Sequence, residues 1–199
     1  MIVWGVFCWF SSFSTQRMTE LPIVFLLGPS GVGKDYVVTL LTKQSPFLFM
    51  DFDIHHPFGH YALRKEWSRF ATEFDPKPFA ASLRASNKDA NATGLLVSFG
   101  SRCVLTRKHL DAAAAVDIQA VLLWGPKEFC RKAAIGRNDG RVTTDSKYDE
   151  ANKIAFETYS SVEFDPIRVE VFRADGSHRP DEELFNDIRR LIDTDPQGT

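Results

Sequence analysis

The chain has 199 residues, 44% hydrophobic and 25% charged, enough to bury one full core and too few for two of ordinary size. A net charge of −2 excludes a global positive field of the kind that gathers nucleic acid or an anionic membrane surface, so a small-molecule or protein partner is expected; the chain itself is expected as a monomer or weak homodimer. Three cysteines, Cys8, Cys103 and Cys130, lie too far apart for zinc or redox spacing and read as buried thiols of a reducing, cytoplasmic compartment.

The chain opens on Ile2 to Phe10, which is almost wholly apolar. No positive charge precedes this run, and it is too short to span a bilayer. Residues 1–17 are therefore expected as an N-terminal extension, disordered or packed on the surface, ahead of one domain at 18–199; a cleaved export signal is the alternative reading. "IVFLL" (23–27) is a continuous apolar run and predicts a strand buried on both faces. "PFLFMDFD" predicts a second strand ending at Asp51 and Asp53, "GLLVSF" (94–99) a third, "IQAVLLW" (118–124) a fourth and "IRVEVF" (167–172) a half-exposed last one. Helices are predicted over 32–42, 108–115, 125–136 and 179–192, the last with acidic residues in its first turn and basic ones in its last. The stretch 55–92, aromatic and broken by Pro76 and Pro78, predicts a helical insert outside the sheet layers. This alternation implies an α/β fold with a parallel five-stranded sheet flanked by helices.

Between the first strand and the first helix stands "GPSGVGK" (28–34), which matches GxxxxGK in the context that motif requires. Glycines let successive backbone N–H groups turn inward, the helix N-terminus adds partial positive charge, and Lys34 adds a full one. Gly28, Pro29, Ser30, Gly31, Val32, Gly33, Lys34, Asp35 and Tyr36 form the candidate nucleotide site, with ATP and magnesium as the expected cofactors. Asp35 stands where such loops carry a hydroxyl. It is read either as a metal ligand or as an acidic first-turn residue that only caps the helix. Asp51 and Asp53, one residue apart, share a face of the second strand at the carboxyl edge of the sheet, where ligands bind. One would hold magnesium through water and the other accept a proton from an attacking hydroxyl; two solvated acids at a loop start are the alternative.

With these pieces in order, the chain from about 22 to 194 resembles the shikimate kinase group of P-loop small-molecule kinases, which implies a three-layer P-loop NTPase fold with insert and lid. "GPSGVGKD" is followed by "FMDFD", similar to that family's Asp, any residue, Asp; "GLLVSFGSRCVL" falls where it has three glycines, and "IQAVLLWGPKEFCRKAAIGRNDGR" resembles its next strand, helix and arginine-bearing lid. The resemblance implies that Lys34 and the backbone of Gly31, Val32 and Gly33 hold phosphates, Asp51 serves the metal and Asp53 the substrate hydroxyl. It further implies that Arg131 stacks on adenine and that Arg137 or Arg141, in a lid at 136–147, closes over the transferring group. For each arginine a solvated charge is the alternative. Some small P-loop kinases similarly carry GKD, among them phage deoxynucleoside monophosphate kinases.

The chain departs from that family where the acceptor binds. Phe99 replaces a glycine whose smallness allows close approach, and no arginine lies between Arg141 and Arg168 to clamp a carboxylate; Arg64, Arg69 or Arg84 of the insert could substitute. His56 and His60 have the spacing of a helical metal pair, interrupted by Pro57 and Gly59, and His55 adjoins them. Trp67, Phe70, Phe74 and Phe79 could line an acceptor pocket or simply fill the core. The expected activity is transfer of the γ-phosphoryl of ATP to a small-metabolite acceptor. The alternatives are a nucleoside or nucleotide monophosphate kinase, and a nucleotide-binding module that does not turn over.

Overall fold

The computed structural model describes residues 20–52, 63–87, 89–137 and 144–193. β1 (Ile23–Leu27) is buried at every position, as a central parallel strand covered on both faces must be. β2 (Phe47–Phe52), β3 (Gly94–Phe99), β4 (Ile118–Trp124) and β5 (Arg168–Glu170) join it in the order β2-β3-β1-β4-β5, with every pair parallel. The last strand is shorter than the apolar run at 167–172 predicts. Beyond Glu170 the chain leaves the ladder, and Phe172 instead bridges antiparallel to His178.

Side chains alternate between the two faces of each strand, and this parity divides the core in two. Ile23, Phe25, Leu27, Val97, Phe99 and Phe52 point to one side, which is covered by α2 (Arg64–Glu73), α3 (Lys77–Ala85) and α4 (Arg107–Ala114). Val24, Leu26, Leu96, Val121 and Leu123 point to the other, beneath α1 (Lys34–Gln44), α5 (Lys127–Gly136) and α7 (Asp181–Asp193). A further helix, α6 (Asp145–Tyr159), serves both: Tyr148 enters the second cluster while Ala155 and Tyr159 enter the first.

The described part of the expected insert carries two helices, α2 and α3, and they cover one face of the sheet rather than standing outside its layers. Phe70, Phe79 and Leu83 are fully buried on the first face. Pro76 and Pro78 do not break the packing, because they sit at the start of α3, where a missing N–H costs nothing. Phe25 meets Phe99 edge-on at 4.9 Å, Phe52 meets Phe79 at 5.4 Å, and Trp67 lies 5.3 Å from Phe99. At about 1.5–3 kcal/mol for each ring taken out of water, this aromatic cluster is a main source of stability. Trp67, Phe70 and Phe79 are core residues, and Phe74 closes α2 half-buried against Lys108 and His109.

The adjacent strands β1 and β3 lead into helices on opposite faces, α1 on the second and α4 on the first. That divergence opens a crevice at their carboxyl ends, the place where open α/β sheets bind ligands.

Candidate functional site

The loop from Gly28 to Gly33 lies at this crevice and runs into α1. Gly31 has φ of +80°, and a Cβ there would stand 2.0 Å from the Cys130 carbonyl oxygen, so the loop can press on α5 only with glycine at this position. Gly33, at φ +95°, is the N-cap of α1 and delays the helix to Lys34, two residues later than the pattern predicts. No side chain caps this helix. The amides of Gly31, Gly33 and Lys34 accordingly make no hydrogen bond among the described residues, whereas that of Ser30 is held by Asn152.

Lys34 folds back over the loop, donating from Nζ to the carbonyls of Gly28 (2.8 Å) and Pro29 (3.0 Å). Burial pushes its ammonium down to about 8, with Arg137 acting in the same sense and the carboxylates of Asp35 and Asp51 opposing. Asp51 lies in register with Ser98 of β3, itself in register with Leu26 of β1, so all three share the face that α1 covers. The sheet parity thus turns Asp51 toward Lys34. Asp35 does not cap α1 by hydrogen bonding; its exposed carboxylate lies 3.5 Å from the Arg137 guanidinium. Lys34, Asp35, Asp51 and Arg137 are therefore gathered at one end of the loop.

The other expected residues divide. Tyr36 donates its hydroxyl to Asp181 of α7, and its ring meets His178 edge-on at 5.2 Å. Arg131 lies on α5 with Asp145 3.8 Å away, facing the start of α6. Asp53, Arg141, the histidines at 55, 56 and 60, residues 1–17 and positions 138–143 of the expected lid lie outside the described residues. Arg84 cannot clamp an acceptor: it donates to the carbonyls of Leu21 and Val116, at the amino edge of the sheet opposite the loop. Arg69 is paired with Glu73 and Asp75, and Arg64 is exposed. Phe99 does not obstruct the crevice, because its parity sends the ring into the aromatic cluster, away from α1.

Sequence reasoning missed three participants. Ser101, after β3, lies with Oγ 3.1 Å from the Ser30 Oγ. Tyr148 and Asn152 belong to α6, a helix that the apolar pattern did not announce. Its signals were Thr144 as N-cap and the 4, 3, 4 spacing of positions 148, 152, 155 and 159, in which a polar Asn interrupts the stripe.

Cys103 and Cys130 are buried, and neither forms a disulfide among the described residues. Among the described residues no group of three or more His, Cys, Asp or Glu could hold a metal ion, and no helix is long and apolar enough to cross a membrane.

No family model and no curated protein matches the chain. Among solved structures it is similar to a shikimate kinase from Acinetobacter baumannii in complex with shikimate, at 16% identity over 86% of this chain and 93% of that one, with a TM-score of 0.48. It is also similar to an unliganded sugar kinase from Janibacter sp. (15% identity, 88% and 96% covered, TM-score 0.48). A gluconokinase from Sinorhizobium meliloti matches at 16% identity, with 87% and 92% covered and a TM-score of 0.46. These neighbours are small-molecule kinases, and at such scores they assign no activity to this chain.

Proposed function

We propose that the chain is an ATP- and magnesium-dependent phosphotransferase that moves the γ-phosphoryl group to a hydroxyl or phosphate of a small metabolite. One observation carries this reading: an uncapped helix N-terminus behind positive-φ glycines, with a desolvated lysine folded over the same loop. A chain of polyphosphate oxygens satisfies all three at once, accepting the amides, meeting the helix dipole and restoring the charge that burial discourages on Lys34. The Phe99 ring, turned away from the crevice, supports a catalytic over a decayed site.

Asp51 and Asp35 are the residues that would hold magnesium. Two hard carboxylate oxygens fit an ion that keeps several waters and shares the phosphates, which is consistent with no larger acidic cluster being present among the described residues. When bound, the ion would neutralise charge on the β and γ oxygens. The chain's own groups do the rest in this reading. The amides of Gly31, Val32 and Gly33 align the phosphates, and Lys34 tracks the charge that builds on the bridging oxygen. Arg137 neutralises the transferring group; its approach to Asp35 at the loop mouth supports that role. Asp53 takes the proton of the attacking hydroxyl as the new O–P bond forms and the bond to the β-phosphate oxygen breaks. Arg131 as an adenine contact, Arg141 in a lid at 136–147, a cytoplasmic location and a monomer or weak homodimer belong to the same proposal.

A thermal-shift screen with magnesium, ATP and a panel of metabolites and nucleoside monophosphates tests it, because a ligand selective for the native state raises apparent stability. The expected result is a rise with Mg-ATP, a further rise with one acceptor, and transfer to that acceptor. Stabilisation by ATP with neither transfer nor hydrolysis would leave a nucleotide-binding module instead.

A further inference from the structure

We infer that Tyr148 and Asn152 are positioning residues for the phosphate loop: together they hold the two peptide groups that meet at Ser30, one by its N–H and the next by its carbonyl, and thereby fix the direction of the amides that follow. This rests on the proposed phosphate site. The Ser30 N–H donates to Asn152 Oδ1 at 2.7 Å, and the Ser30 carbonyl accepts from the Tyr148 hydroxyl at 3.0 Å. Asn152 Nδ2 donates in turn to the Tyr148 carbonyl at 2.9 Å, which settles which way the amide points. Both side chains are wholly inaccessible to solvent.

A loop peptide is usually solvated, and burying an asparagine side chain costs free energy unless its hydrogen bonds are made. Here one helix commits its two most buried polar side chains to the two peptide groups flanking a single residue of another segment, 118 and 122 residues away in sequence. The second of these groups, Ser30–Gly31, carries the Gly31 amide itself, the first of the amides left without a partner among the described residues. Rotation about Ser30 would swing Gly31 and its successors together, so fixing it pre-organises the cup before any anion arrives. Burial raises the Tyr148 pKa far above its ordinary value, so the hydroxyl remains a donor throughout the working pH range. The Ser30 side chain adds a third tether through Ser101. α6 is itself joined to α5 by Lys127 and Asp149, 2.9 Å apart, and α5 is the helix on which Gly31 rests. The loop is thus pinned against a paired-helix wall rather than by its own turn alone.

The probe is inorganic tripolyphosphate with magnesium, titrated calorimetrically into the full chain, with ligand-free melting recorded in parallel. Tyr148→Phe keeps the ring and removes one hydrogen bond; it is expected to weaken tripolyphosphate about three- to tenfold, while exchange of the Ser30 amide, the one that Asn152 holds, accelerates. Asn152→Leu is expected to weaken it further and to be non-additive with Tyr148→Phe, since both act on the backbone of one residue. If Asn152→Leu fails to fold, Tyr148→Phe decides alone. A Tyr148→Phe protein that melts lower yet binds tripolyphosphate as the parent does would overturn the inference and leave a purely structural contact. Parent protein that ignores tripolyphosphate, with Lys34→Ala indistinguishable from it, would remove the phosphate site itself and the inference with it.

Discussion

The two faces of the sheet solve opposite problems. On the first, Phe25, Phe52, Trp67, Phe70, Phe79 and Phe99 pack ring against ring, and stability comes from apolar area removed from water. At the carboxyl end of the second, the chain spends stability: three loop glycines hold positive φ, a helix starts without a cap, and a lysine is desolvated. The contrast teaches that damage to the first region should be read as lost folding energy, and damage to the second as lost ligand affinity or rate with the fold unharmed.

Lys34→Ala gives the largest expected effect. ATP-dependent turnover should fall about 10²–10³-fold or more, as when an electrostatic donor is removed from a transition state, while the melting temperature holds or rises because a buried charge has gone. Steady-state kinetics beside a melting curve would show it, and near-normal turnover would break the contrast. Phe99→Ala is the counterpart on the aromatic face: a loss of about 3–5 kcal/mol by denaturant titration, with tripolyphosphate affinity little changed where the protein remains folded.

The pH dependence sharpens the comparison, because one group shifts stability and binding in opposite directions. Lys34 titrates at about 8 in the folded chain against 10.5 ordinarily, so between those values the unfolded state binds more protons and this group makes stability rise with pH. An anion needs the protonated form. Tripolyphosphate affinity should fall as pH rises through about 8, approaching tenfold per unit, and Lys34→Ala should flatten that profile. The smallest effect belongs to Asp35→Ser. Its pair with Arg137 is exposed, so stability should change by less than about 1 kcal/mol, and retained transfer would identify the carboxylate as a replaceable metal ligand.

Much of the sheet was legible in sequence, since central parallel strands announce themselves as apolar runs and all five appear in the expected order, the last one shortened to Arg168–Glu170. The loop was legible as well, because GxxxxGK is local and its flanking strand and helix are local too. What escaped depended on distant partners. Arg84 reads as a free cation until the sheet places it at the wrong edge, and Phe99 reads as an obstruction until parity turns it into the core. α6 escaped because Asn152 is buried for its hydrogen bonds rather than for its hydrophobicity, which an apolar pattern cannot register. Strand parity did carry one unused message: Asp51, Phe49 and Phe47 alternate with Phe52 and Met50, so Asp51 had to face the side opposite the aromatic cluster.

The most direct test of the phosphate cup is an amide-resolved NMR titration of the full chain with Mg-ATP. Large downfield shifts confined to Gly31, Val32, Gly33, Lys34 and Asp35, with the Ser30 amide little moved because Asn152 already holds it, are the predicted result. Saturable ATP binding that leaves those five amides where they were would contradict the account.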